Sequence, residues 1–112
     1  GHAIEVVTGY GRYRHGEAVA VGMHCAALAA RGLGMVGDGF VGRQEALLRA
    51  VGLPTGADGV SADEVLEAMR RDKKVKGGRL RFVLPDRLGH VVLRDDVPEE
   101  VVRAAVEEVA RE

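Results

Sequence analysis

The sequence predicts a mainly α, multi-helical domain with one small β-hairpin late in the chain. Apolar residues recur at helical spacing through most of its length. A capping box opens one of the helical segments, and the alternation typical of a strand is confined to residues 80–84. At 112 residues the chain has the size of one domain, so we treat residues 1–112 as a single unit.

The first two helical segments differ in length and character. Residues 1–8 predict one or two helical turns, stopped by the glycines that follow. Residues 15–33 predict a long helix that is small or apolar on almost every side, so we expect other elements to enclose most of it. Gly32 and Gly34 at the end of this stretch are natural C-terminal stops.

Two further helices are predicted in the middle of the chain. Residues 40–51 carry apolar side chains at helical spacing, and Gly52 ends the pattern. Residues 61–64 form a capping box, in which the Ser61 hydroxyl and the Glu64 carboxylate each satisfy a free backbone N–H. We expect the helix that starts there to run to Lys74.

The last third of the chain predicts a hairpin followed by a helix. Residues 80–84 alternate apolar and polar side chains and predict a half-buried strand. Residues 85–89 predict the turn, and residues 90–93 the partner strand. Pro98 is expected at the first helical position of the final helix, which is apolar along one side.

Charge and cysteine content exclude several classes of function. Sixteen basic and seventeen acidic residues give a net charge of −1, whereas nucleic acids and anionic membranes select an excess of positive charge. We therefore expect neither as a partner. Cys25 is the single cysteine and forms no internal disulfide, so we expect a cytoplasmic protein.

Two histidines beside glycines are candidates for chemistry. His2 and His15 lie thirteen positions apart, and imidazole is both the commonest metal ligand and the usual acid–base group near neutral pH. Glu17 is placed to orient the His15 ring through a carboxylate contact. Two histidines do not complete a zinc site, so the pattern leaves two interpretations open, a partial metal site or caps at helix ends.

Three separated motifs give the chain a specific resemblance. GHAIE at residues 1–5, GYGRYRHGEAVAVGM at 9–23 and RRDKKVKGGRLRFVLP at 70–85 occur in this order. Together with GHVVLRDDVPEEVVRAAV at 89–106 they resemble the C-terminal half of 3-dehydroquinate synthase. The resemblance implies a two-domain homodimeric enzyme that uses NAD and zinc (or cobalt), with an N-terminal NAD-binding domain beyond this chain. We expect the chain to be part of a longer one.

The resemblance also implies roles for individual residues. His15 matches a zinc ligand, whereas two further ligands of the family fall upstream of residue 1. His2 matches an active-site histidine that does not bind the metal and lies near the substrate and its leaving phosphate, a place for proton transfer. Lys73 and Lys74 match a lysine pair, one of which contacts the anionic groups of the substrate, and we favour Lys73.

The implied reaction converts 3-deoxy-D-arabino-heptulosonate 7-phosphate to 3-dehydroquinate and phosphate in the shikimate pathway of aromatic amino-acid biosynthesis. It proceeds through transient oxidation by NAD, phosphate elimination, reduction, ring opening and an aldol closure. The isolated chain is expected to be inactive, without tight NAD binding and with at most weak zinc binding. Two alternatives remain: another sugar-phosphate cyclase, of the 2-deoxy-scyllo-inosose or valiolone synthase type, and a non-catalytic helical interaction domain.

Three other noticeable residues are expected to have structural roles. His24 stands where the resembled family usually has an aliphatic residue, and we expect a packed or interface histidine rather than a ligand. Cys25 on the same helix is expected to behave as a small buried hydrophobe. His90 opens a predicted strand and is expected to face solvent.

Overall fold

The computed structural model describes Ala3 and residues 15–56, 61–75, 82–87 and 89–110, without the side chains of residues 72–75. The elements along these residues are α1 (His15–Gly32), α2 (Asp38–Ala50), α3 (Ala62–Val75), β1 (Phe82–Arg87), β2 (His90–Arg94) and α4 (Glu99–Ala110). The predicted fold class is confirmed for this part of the chain. The helical turns predicted for residues 1–8 lie outside it except for Ala3, which is helical.

Gly34 and Gly52 end the first two helices as the sequence predicts, whereas Gly32, also predicted as a stop, is the last residue of α1 itself. Gly34 (φ 76°) and Gly52 (φ 83°) adopt the left-handed conformation, which is nearly free of steric cost for glycine. The N–H of the residue after each glycine reaches back to a carbonyl of the last turn: Met35 donates to Ala30 at 2.9 Å, and Leu53 donates to Leu48 at 2.9 Å. Both ends are Schellman motifs.

The start of α2 differs from the prediction by two residues. The helix begins at Asp38, before the first apolar residue of the helical pattern, Phe40. Gly37 precedes the helix and provides no side-chain cap. Asp38 instead pairs with Arg31 of α1 at 3.2 Å, and its carboxylate lies at the end of the helix where the macrodipole favours negative charge. The start of α2 therefore lacks the capping side chain from which a helix start is usually predicted.

The capping box at α3 is present in part. The Glu64 N–H donates to Ser61 Oγ at 3.4 Å, and the Val65 N–H donates to the Ser61 carbonyl at 3.1 Å. The first bond satisfies one of the amides that a helix leaves free in its first turn, and the second is the first regular hydrogen bond of the helix. The last helix, α4, begins at Glu99, one residue after the predicted first position. Pro98 is the residue before the helix, and its carbonyl accepts hydrogen bonds from the N–H groups of Val101 and Val102.

The hairpin corrects the predicted turn. β1 and β2 pair antiparallel, and Pro85 lies inside β1 opposite Val91 rather than in the turn. A proline is tolerated here because each strand of a two-stranded sheet has a free edge, which needs no N–H donor. The register then shifts between Pro85 and Arg87. The predicted alternation holds in β1, where Leu84 is buried and Val83 is exposed.

The core lies between α1, α3, α4 and β1. Small residues of α1, including Ala27 and Ala30, are fully buried and allow neighbouring helices to approach closely. At Gly32 an added Cβ would lie 3.3 Å from Val101 Cγ1 of α4, so a larger residue there would need the Val101 side chain to move by a few tenths of an ångström. None of the described helices combines the length and apolarity needed to span a membrane.

The expected enclosure of α1 is incomplete. Ala18, Val21 and Leu28 are buried, but Val19 and Met23 remain 41% and 46% exposed. The helix is thus apolar on a side that the described elements leave open. An apolar helix face without cover costs free energy in water.

Asp86 and His90 form a polar contact at the turn end of the hairpin. His90 Nδ1 lies 2.6 Å from Asp86 Oδ1. This hydrogen bond, with a smaller contribution from the charge of Arg87, lowers the pKa of Asp86 below its ordinary value. The pKa of Asp86 is therefore lower in the folded protein than in the unfolded chain. The contact stabilises the hairpin at pH values above the unfolded-state pKa of Asp86. This stabilisation is lost as the pH falls through the folded-state pKa.

Replacing His90 with alanine is expected to return the pKa of Asp86 toward its ordinary value. The side-chain carboxyl resonance of Asp86, followed by NMR during an acid titration, measures the change. Asp96, whose pKa is lowered by its hydrogen bond with Arg94, is the internal control and should keep its low pKa. An unchanged Asp86 titration in the variant would contradict the assigned cause.

Candidate functional site

His15 and Glu17 lie in the first turn of α1. His15 is the first residue of the helix and is exposed, whereas Glu17 is half-buried. Residues two positions apart in a helix do not lie on the same side, so the helix geometry by itself does not place the Glu17 carboxylate beside the His15 ring. A carboxylate in the first turn also stabilises the helix through its macrodipole, which gives Glu17 a structural contribution of its own.

Lys73 and Lys74 lie in the last turn of α3, whose backbone alone is described there. With 3.6 residues per turn, position 73 lies on the same side of the helix as Leu66 and Met69, and position 74 lies on the same side as Arg70. Leu66 is buried at 2% exposure and Met69 packs against the core, whereas Arg70 is exposed. The two lysine positions therefore continue different sides of the helix.

The described residues by themselves do not fit a zinc ion. They contain no group of three or more His, Cys, Asp or Glu side chains placed to hold a metal, and a zinc site needs at least three protein ligands. His15 contributes one imidazole. His2 and the loop of residues 9–14, both singled out from the sequence, lie outside the described residues. Any zinc site that includes His15 thus takes its other ligands from outside them.

A polar junction between α1 and α2 was missed by sequence reasoning. His24 is buried as expected, and its Nε2 lies 3.5 Å from Glu45 Oε2 of α2. Arg49 donates to the same Glu45 oxygen at 3.2 Å and, through Nε, to Thr55 Oγ1 at 3.1 Å. Thr55 is buried at 3% exposure. The one signal in the sequence was a histidine within an otherwise apolar helix.

Cys25 and His90 have the environments expected for them. Cys25 is a half-buried thiol packed against the core, and removal from water raises its pKa to about 11. It therefore stays protonated near neutral pH and is a poor nucleophile. His90 is exposed at the start of β2.

The fold is similar to part of a solved cyclase structure. It matches the 2-epi-5-epi-valiolone synthase of Streptomyces hygroscopicus, a structure with NAD⁺ and Zn²⁺ bound, with a TM-score of 0.81 and 25% sequence identity. The match covers 92% of this chain and 29% of that one. The described elements thus form a helical domain similar to one part of that synthase.

Sequence comparison identifies the family. Residues 1–75 match the family described as 3-dehydroquinate synthase C-terminal. The chain is 42% identical over 111 residues to the 3-dehydroquinate synthase of a Synechococcus species, and 46% identical over 105 residues to that of Rhodopirellula baltica. These alignments cover 98% and 94% of this chain. The chain belongs to the 3-dehydroquinate synthase C-terminal family.

The chain is much shorter than these relatives. It covers 30% of the Synechococcus protein and 28% of the Rhodopirellula protein. Most of the length of each relative therefore has no counterpart among these 112 residues.

Proposed function

We propose that this chain is the helical, metal- and substrate-binding part of a 3-dehydroquinate synthase that converts 3-deoxy-D-arabino-heptulosonate 7-phosphate to 3-dehydroquinate and phosphate. One observation carries the proposal: 42–46% identity to 3-dehydroquinate synthases along nearly the whole chain. The complete protein is then an NAD- and zinc-dependent carbon–oxygen lyase. We further propose that it is a cytoplasmic homodimer, and that the 112 residues alone are inactive because they contain no nucleotide-binding domain.

In this proposal the α1 N-terminus carries the metal-binding residue. His15 supplies one imidazole ligand. Because it is exposed at the first turn, it can share a metal ion with ligands from another part of the protein. Glu17 restricts the orientation of the His15 ring, as carboxylates near metal-bound histidines commonly do. His2 transfers a proton near the leaving phosphate, a role suited to a group that titrates near neutral pH.

Lys73 is proposed as the anchor for an anionic group of the substrate. Its position continues the side of α3 that holds Leu66 and Met69, toward the interior of the fold. Lys74 continues the exposed side with Glu67 and Arg70, which pair with each other at 3.4 Å. A lysine ammonium is a compact cation suited to carboxylate or phosphate.

Replacing Lys73 with alanine in the complete enzyme is expected to lower kcat/KM about 10- to 100-fold, since a hydrogen bond to a charged group contributes about 1.5–3 kcal/mol. Lys74→Ala is the matched control, because it removes the same charge from the other side of the helix, and its kcat/KM should change less than about threefold. Steady-state kinetics with varied sugar phosphate measures both. A larger loss in Lys74→Ala than in Lys73→Ala would reverse the assignment.

The proposed activity is tested by phosphate release from the gene product extended upstream to its natural start. The substrate is 3-deoxy-D-arabino-heptulosonate 7-phosphate, with NAD and zinc supplied together, singly or not at all. We expect release only with both additions, accompanied by 3-dehydroquinate. Release from glucose 6-phosphate instead would indicate another sugar-phosphate cyclase, and no release from either substrate would favour a non-catalytic interaction domain.

A further inference from the structure

An apolar groove lies between α1, α2 and the hairpin. It has a volume of about 610 Å³. The lining residues that matter most are Val19, Met23, Phe40, Leu47, Val83 and Val91. The groove therefore brings together the open side of α1, one side of α2 and the outer face of the β-sheet.

The apolar side chains of the groove are open to water in the described structure. Leu47 of α2 is 63% exposed, and Val83 and Val91 of the hairpin are 54% and 57% exposed. Leu93, which pairs with Val83 across the two strands, extends this apolar face at 65% exposure. A contiguous apolar surface of this kind marks a place where another element packs.

The polar groups of the groove define the chemistry of what covers it. Among the described lining residues, Arg43 and Arg87 carry full positive charges. Arg87 Nη1 lies 3.8 Å from Asp86 Oδ2, a carboxylate beside the groove that also contacts His90, so Arg43 is the main cation that an occupant meets. The side-chain oxygen of Gln44, also in the lining, is buried and accepts no hydrogen bond from the described residues. An element that fits here has an apolar centre, acidic flanks and a hydrogen-bond donor.

We propose that the groove is covered, in the complete protein, by an apolar element with acidic flanks from the part of the same polypeptide that precedes this chain. The relatives have roughly 70% of their length outside the matched region, and the family corresponds to their C-terminal part. Val19 lies one helical turn after His15 on the same side of α1. An upstream region that reaches His15 thus comes alongside the groove.

The proposal rests on the proposed function in treating the chain as the C-terminal part of a longer enzyme and in placing upstream residues near His15. It adds a second task for the upstream region, which is to bury the open side of α1, α2 and the hairpin. Burial of apolar surface contributes roughly 25 cal/mol per Å², so several half-exposed aliphatic side chains provide a substantial driving force for this packing. Arg43 and Arg87 then restrict which segment fits.

Cysteine labelling of the complete protein tests the inference. Leu47→Cys and Val91→Cys are introduced separately into a variant whose native cysteines are alanine, with Glu107→Cys on the exposed side of α4 as the matched control. Maleimide labelling rates are divided by those of the urea-unfolded proteins. We expect the groove cysteines to react at least about tenfold more slowly than the control. Equal rates would overturn the proposal.

Isotope-mixed cross-linking identifies the occupant. Arg43→Lys in the complete protein, prepared as a mixture of ¹⁴N- and ¹⁵N-labelled chains, is treated with a carbodiimide that joins amines to adjacent carboxylates. We expect a cross-link within one chain to an acidic residue upstream of residue 1. A cross-link between chains would assign the groove to a second copy and overturn the proposal, and absence of a cross-link would overturn the acidic chemistry assigned to the occupant.

The two tests remain separate from the activity assay. Neither the labelling nor the cross-linking requires turnover. A protected groove in a protein that releases no phosphate would support this inference while rejecting the proposed function. Conversely, an active enzyme with fully reactive groove cysteines would reject the inference alone.

Discussion

His15→Ala in the complete protein is expected to reduce phosphate release by at least about 100-fold, the upper end of what even an outer-shell partner of a metal ligand costs. In the proposed site His15 supplies one imidazole ligand, and it lies exposed at the start of α1. Removing a ligand from a three-ligand site leaves zinc weakly held. We therefore expect zinc content and activity to fall together.

The measurement combines phosphate-release kinetics with metal content determined by mass spectrometry of the dialysed protein. His15→Cys is the informative second variant, because a thiolate is also a zinc ligand, and it should retain more zinc than the alanine variant. Circular dichroism verifies that both variants fold. Wild-type turnover in His15→Ala would reject His15 as a metal-binding residue.

Leu84→Ala is expected to destabilise the chain by about 2–5 kcal/mol, the cost of removing a fully buried leucine and leaving a cavity. Leu84 is 0% exposed, the largest fully buried side chain of the described core. It joins β1 to the helices, since the cluster around it includes Val21 of α1, Val65 of α3 and Val106 of α4. A domain of this size has a total stability of about 5–15 kcal/mol, so the loss is large.

Urea unfolding measures this effect as a shift in the free energy of unfolding. Far-UV circular dichroism is the appropriate signal because the chain has no tryptophan. Leu93→Ala on the neighbouring strand is the matched control in the 112-residue chain, where no upstream segment covers it: the same change at 65% exposure should cost less than about 1 kcal/mol. Equal losses for the two variants would contradict the burial of β1 against the helices.

Local rules explain why much of the fold was predictable. The end of α1 depends on hydrogen bonds between residues 30 and 35 and on the left-handed φ of Gly34. The start of α3 depends on Ser61 and residues three and four positions later. Such contacts span less than two helical turns, so the residues that make them stand together in the sequence.

Longer-range contacts explain what was missed. Proline usually indicates a turn, yet Pro85 lies within β1, where it pairs with Val91 of β2. The partner of His24 is Glu45, twenty-one positions later on another helix. Neither relation follows from periodicity, because each depends on which elements become neighbours in the folded chain.

For the candidate site, too, some features follow from contiguous sequence and others only from packing. The sequence by itself determined the candidate residues His2, His15, Glu17, Lys73 and Lys74, because the motifs that contain them are short and contiguous, and it determined the helical domain with a late hairpin. Only the tertiary structure decided that one side of α1 stays open beside Leu47 and Val91. A helix that is apolar all round gives no indication of which side its neighbours cover. That choice is made by packing between elements far apart in the chain.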